Sequence, residues 1–171
     1  MKIERIYPEC NADTMLVQLI LQRGLPIHCK NIHKVAKSLE NFSNNNLFII
    51  GVIDDDKSKN VPTYIKGFKV FENNENKIKE ECLAILNLPG TNKYVIRLHP
   101  AFEKWILFVA ESCGINPANY GFDNFEKIKA AAKGPDVYDN KDFKKFVNAI
   151  IQQNPPAIQT LKFWLDKAKD V

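Results

Sequence analysis

The run Leu47-Phe48-Ile49-Ile50-Gly51-Val52-Ile53, followed without a break by Asp54-Asp55-Asp56, limits the folds open to this chain more than any other feature. An apolar stretch of strand length, rich in β-branched side chains, predicts a strand buried on both faces, as in a parallel sheet covered by helices. What precedes it agrees. Lys2 to Tyr7 alternates charged and apolar side chains around Ile3 and Ile6 and reads as a first strand ended by Pro8. Ala12, Met15, Leu16, Leu19 and Ile20 then recur at helical spacing, with Asn11 placed to cap the start and Gly24 to close the end. Leu25 to Cys29 reads as a second strand, and Ile32, Val35, Ala36, Leu39 and Phe42 mark a second helix. Strand, helix, strand, helix, strand in this order predicts an α/β fold, a three-layer sandwich with a mostly parallel central sheet and right-handed crossovers.

Downstream, residues 58–68 read as a loop, Lys69 to Phe71 as a short strand, and Asn76 to Glu81 as a polar turn or helical start. Cys82–Leu88 and Tyr94–Leu98 read as two further strands around Pro89-Gly90-Thr91-Asn92, a hairpin at the sheet edge. Phe102 to Ser112 is predicted helical, between Pro100 and Gly114. Phe143, Phe146, Val147, Ile150 and Ile151 predict one amphipathic helix, and Ile158, Leu161, Trp164 and Leu165, after Pro155-Pro156, another. At 171 residues, 45% hydrophobic and 26% charged, the chain suits one packed domain. We divide it into an α/β domain over 1–114 and C-terminal helices, 115–171, packed on it.

Several function classes are disfavoured. The segment MKIERIYPEC has no continuous apolar core of a signal peptide, and the longest apolar stretches, such as Trp105 to Ala110, fall far short of the roughly 20 residues that cross a bilayer. We expect no membrane span and a cytoplasmic location. Cys10, Cys29, Cys82 and Cys113 are too scattered for a CxxC pair or zinc spacing and read as reduced. A net charge of +4 permits nucleic-acid binding without arguing for it.

Functional groups of parallel α/β sheets collect where strands end at their carboxyl edge. Glu9 follows the first strand, with Asp13 one helical turn on; Asp54 and Asp56 follow the third and, as alternate residues, point to one side. Carboxylates crowded there repel one another unless a cation neutralises them, and oxygen donors without histidine or thiolate suit Mg²⁺ or Mn²⁺. Lys57 is placed to pair with an acid or reach a phosphate. The bland readings stand beside these: an acidic turn after a buried strand, and first-turn acids favoured by the helix dipole. The histidines have no spacing that suggests a site, and the lysines around Lys141, Lys144 and Lys145 suit a solvated helix face.

Glu9-Cys10-Asn11-Ala12-Asp13 after strand one and Asp54-Asp55-Asp56 after strand three, within this element order, resemble the Toprim domain. That family is shared by topoisomerases, bacterial primases and the overcoming-lysogenisation-defect nucleases. The resemblance covers roughly the first hundred residues. Its usual pattern is a glutamate, commonly in Glu-Gly-x-x-Asp, and a later Asp-x-Asp. By position it implies that Glu9 is the general acid/base or metal-site glutamate, Asp54 and Asp56 the metal-binding pair, and Asp13 an accessory acid. Tyr94 to Leu107 is similar to a strand-then-glutamate-helix segment of small stand-alone Toprim-like proteins, which implies that Glu103, in the first turn of its helix, adds a further acid. Two departures are Cys10 in place of the usual glycine and Pro8 before the glutamate. The resemblance implies Mg²⁺- or Mn²⁺-dependent phosphoryl transfer on DNA or RNA, most simply by a nuclease using activated water. A separate ATPase or other protein partner is also implied.

The alternative within this frame is a catalytically degenerate Toprim-like module that binds or regulates with a partner protein. Haloacid-dehalogenase phosphatases also place Asp-x-Asp after a parallel strand, but after the first. A receiver domain wants an acidic pair after strand one, where Glu9 stands alone.

Overall fold

A computed structural model describes residues 2–3, 5–22, 25–55, 60–71 and 79–169. Asp56, Lys57, the expected helix stop Gly24 and the first half of the expected turn from Asn76 lie outside the described residues. Among them, no helix is long and apolar enough to cross a membrane.

The first half follows the expected order. Strands β1 (Lys2–Ile3) and β2 (Ile6–Pro8) lead into helix α1 (Asn11–Leu21), then β3 (Leu25–Pro26), α2 (Ile32–Asn41) and β4 (Ile49–Asp54). β1 pairs in parallel with β3, and the pairing continues where Ile27 N–H donates to Ile6 O and Cys29 N–H to Pro8 O, both at 2.9 Å. The residues expected as strands one and two therefore run side by side. α1 starts one residue earlier than the spacing suggests, because Cys10 rather than Asn11 is the cap, and it ends at Gln22 in the left-handed conformation (φ 54°).

The second half departs from expectation in three ways. The segment read as a loop contains a one-turn helix, α3 (Thr63–Lys66), ahead of β5 (Lys69–Val70). β6 (Leu83–Asn87) and β7 (Lys93–Leu98) form the expected hairpin, but it is not at the sheet edge: the order is β2-β4-β7-β6-β5, with β5 outermost. And the sheet is mixed rather than mostly parallel. β2 and β7 flank β4 in parallel, whereas β7–β6 and β6–β5 are antiparallel. The reason is local: the tight turn between Asn87 and Lys93, held by Thr91 Oγ1 on Leu88 O at 2.7 Å, is too short for a crossover helix, so the chain must reverse.

Beyond α4 (Phe102–Ser112), residues given no element in advance form a 3₁₀ turn at Pro117–Tyr120, helix α5 (Phe125–Ala132) and a second 3₁₀ turn at Pro135–Tyr138; α6 (Lys141–Gln153) and α7 (Pro156–Lys169) follow. Asn116, Asn124 and Asn140 each accept a backbone N–H at the start of the turn or helix they precede.

Strand alternation sorts the core onto two faces. Ile50, Val52, Ile96, Leu98 and Ile85 point to one face and pack with α1, α4, α6 and α7 through residues such as Met15, Trp105, Phe143 and Leu161. Ile49, Ile53, Val95 and Leu86 point to the other, against Val35 and Leu39 of α2 and Ile65 of α3. Gly51 permits the second contact: a Cβ there would lie 2.6 Å from Val35 Cγ1 and 3.2 Å from Leu39 Cδ1. Val35 is β-branched on a helix and has little rotamer freedom to yield. Gly51→Ala should therefore lower stability by about 1–3 kcal/mol, read as a reduced urea midpoint, and an unchanged midpoint would mean α2 shifts freely.

Candidate active site

The carboxyl ends of β2 and β4 meet the N-termini of α1 and α4, and backbone bonds fix the acids there. Glu9 N–H extends the parallel ladder by donating to Val52 O at 2.8 Å. Its side chain is 4% exposed, and Oε2 accepts Asp54 N–H at 3.2 Å. Asp54 in turn accepts, on Oδ1, the N–H of Phe102 at 2.9 Å. Ala101, the residue before α4, supplies no side-chain cap, so Asp54 caps that helix from a distant strand, where the helix dipole favours a negative charge.

Asp13 is fully buried. Its Oδ2 accepts Cys10 N–H at 3.3 Å while Cys10 Sγ accepts Asp13 N–H at 3.3 Å, a capping box with a thiol in place of the usual hydroxyl. Asp13 Oδ1 is buried with no hydrogen-bond partner among the described residues. Burial first, and then the charges of Asp54 and Glu9, push the Asp13 carboxyl well above the ordinary range, against the opposing pull of its bonds to Cys10. Burial, with Asp13 and Asp54 adding to it, also pushes the Cys10 thiol far up, so it stays protonated and is no nucleophile. Tyr138, from the second 3₁₀ turn, closes over this group: its phenol is raised mainly by burial, against a bond with Thr14.

Above these residues lies a cleft of about 640 Å³. Cys10, Asn11 and Ala12 at the start of α1 form one wall and Phe102 and Glu103 at the start of α4 another. His28 and Lys30 bound it after β3, residues 132–135 close it, and Asp54 reaches it. Lys30 and Lys133 are exposed at its rim. Burial, and the charge of Lys30, lower the pKa of His28 below its ordinary value, favouring the neutral imidazole. An acidic floor, a cationic rim and two helix N-termini together suit a cation and a phosphate in one place.

Glu9, Asp13, Asp54 and Glu103 are thus gathered at one edge, whereas Asp56 and Lys57 are outside the described residues. Asp55 is turned to the opposite face of the sheet, with His99 Nδ1 2.7 Å from its Oδ2 and Arg97 Nη1 3.6 Å from its Oδ1. Among the described residues, no three histidine, cysteine or carboxylate side chains are grouped so as to hold a metal ion by themselves. Sequence reasoning missed His28, Lys30, Lys133 and Tyr138. Lys30 was within reach, because it follows the second strand at the same carboxyl edge that singled out the acids. Comparison with known proteins finds no matching family model, no similar curated protein and no similar solved structure.

Proposed function

We propose that the chain is a stand-alone Toprim-like domain that carries out divalent-metal-dependent phosphoryl transfer on nucleic acid, most simply as a nuclease. The observation that carries this reading is the meeting of Glu9, Asp13 and Asp54 at the carboxyl edge beneath the cleft, with a buried Asp13 oxygen left without a partner among the described residues. The donor chemistry suits a hard cation, because every candidate ligand is a carboxylate oxygen and positive charge relieves their repulsion, but Glu9, Asp13 and Asp54 do not by themselves form a metal-holding group, so the proposal requires a further ligand. Glu9, Asp13 and Asp54, with Asp56, would hold Mg²⁺ or Mn²⁺, which when bound would stabilise charge on the phosphate oxygens.

The remaining work belongs to the protein. Asp54 N–H fixes Glu9 through Oε2, and in this proposal the Glu9 carboxylate would move the proton of an attacking water. Lys30 and Lys133 at the rim would hold the nucleic-acid backbone. Replacing either by alanine should weaken binding of a short single-stranded oligonucleotide and lower its log–log salt slope by about 0.7, read by fluorescence anisotropy. An unchanged slope in both would remove the rim from the binding path.

A second reading rests on the same corner. Cys10 and Asp13 satisfy each other as a capping box, and a neutral Asp13 is compatible with a structural role in a degenerate module that acts with a partner protein. Calorimetric titration of Mg²⁺ and Mn²⁺, followed by a cleavage screen on DNA and RNA, separates the two. Metal binding with metal-dependent cleavage supports the nuclease, binding without cleavage supports the module, and no binding sinks the metal centre.

A further inference from the structure

The sheet carries a second cleft at the same carboxyl edge but on the α2 face, with a volume of about 340 Å³. Its walls are apolar: Ile32, Ile65, Phe68 and Leu86 are buried residues of that face, and Val61 stands at the rim. Arg97, on β7, borders this apolar space with its side chain partly exposed. Nη1 is 3.6 Å from Asp55 Oδ1, an ion pair too long for a hydrogen bond, and Nε is buried with no acceptor among the described residues. Asp55 instead has His99 Nδ1 on its other oxygen at 2.7 Å.

From this geometry we infer a binding site for a small amphipathic anion, an apolar body with a carboxylate or phosphate head, seated against Phe68 and Leu86 with its oxyanion on Arg97. A planar guanidinium partly exposed at the cleft offers N–H groups that match such a head, and the apolar walls take the body. The charges facing the cleft permit an anion. Arg97 and Lys66 are cationic, Asp55 is shared between His99 and Arg97, and Asp54, which also borders the cleft, has its carboxylate bonded to Phe102 N–H on the opposite face. The volume lies at the small end of ligand pockets, room for a single ring or a short alkyl chain. This site is separate from the metal-dependent reading and stands or falls without it.

Calorimetric titration of the full chain with phenylacetate, phenyl phosphate, acetate and benzyl alcohol tests it. At least one of the two aromatic anions should bind, the better one identifying the head group, while acetate and benzyl alcohol should bind at least tenfold more weakly. Arg97→Gln should weaken the anion at least tenfold. Val61→Trp, which fills the cleft from its rim and leaves Arg97 in place, should abolish binding with the thermal transition retained. Lys133→Ala, in the other cleft, should leave it unchanged. Binding of benzyl alcohol as tight as phenylacetate, undiminished binding in Arg97→Gln, loss in Lys133→Ala, or no binding of either aromatic anion would each overturn the assignment.

Discussion

Asp54→Asn should lower metal-dependent cleavage by about 10²–10³-fold with little change in stability, because the substitution separates the cap that this carboxylate forms from the metal ligation proposed for it. Asn keeps an oxygen able to accept Phe102 N–H, so the start of α4 remains capped, while the charge that would face the metal is lost. Asp54→Ala removes both and should in addition destabilise the fold by about 1 kcal/mol, the usual effect of losing a cap. Glu9→Gln is the companion: its side chain can still accept Asp54 N–H but no longer carries the proton or charge of a carboxylate. The heat of Mg²⁺ binding should disappear in Asp54→Asn along with turnover. Turnover equal to that of the unaltered protein in both variants would move the reaction away from this edge of the sheet.

The parts of this arrangement that were legible in the sequence are those with a local signature. Ile49 to Ile53 declares a doubly buried strand because its neighbours on both faces are apolar, and both faces are indeed covered. The sheet order is not local, and nothing in Tyr94 to Leu98 says that this strand inserts beside β4 instead of extending an edge. α5 buries only Ile128 and Ala132, too little for a periodic pattern to stand out, although Asn124 before it was a readable cap. The wall at residues 132–135 was hidden with it, and so was its contribution to the cleft. Asp13 reads in sequence as an ordinary first-turn acid. Its complete burial depends on Cys10 bonding back to it and on Tyr138 arriving from far along the chain, and neither is a matter of spacing.

Asp13 is also where stability and the proposed metal binding meet. A carboxyl whose folded pKa lies above its unfolded value holds its proton more tightly when folded, so its contribution is fully present below the unfolded pKa of about 3.9 and is lost as pH rises towards the folded one. In that window the metal-free protein should lose stability with a slope of about 1.4 kcal/mol per pH unit, the slope of one proton bound in the folded state and absent in the unfolded. Asp13→Asn cannot ionise and should be nearly flat over the same range, so the two curves diverge as pH rises. A divalent cation prefers the ionised form and should reverse the loss, by about 2.7 kcal/mol at a hundred times its Kd, with the largest gain at the alkaline end. Urea denaturation from pH 4 to 8, with and without Mg²⁺, measures all of this. Parallel curves for the two proteins would mean that Asp13 is not the titrating group, and divergent curves that Mg²⁺ leaves untouched would give Asp13 to the capping box and the fold instead of to a metal.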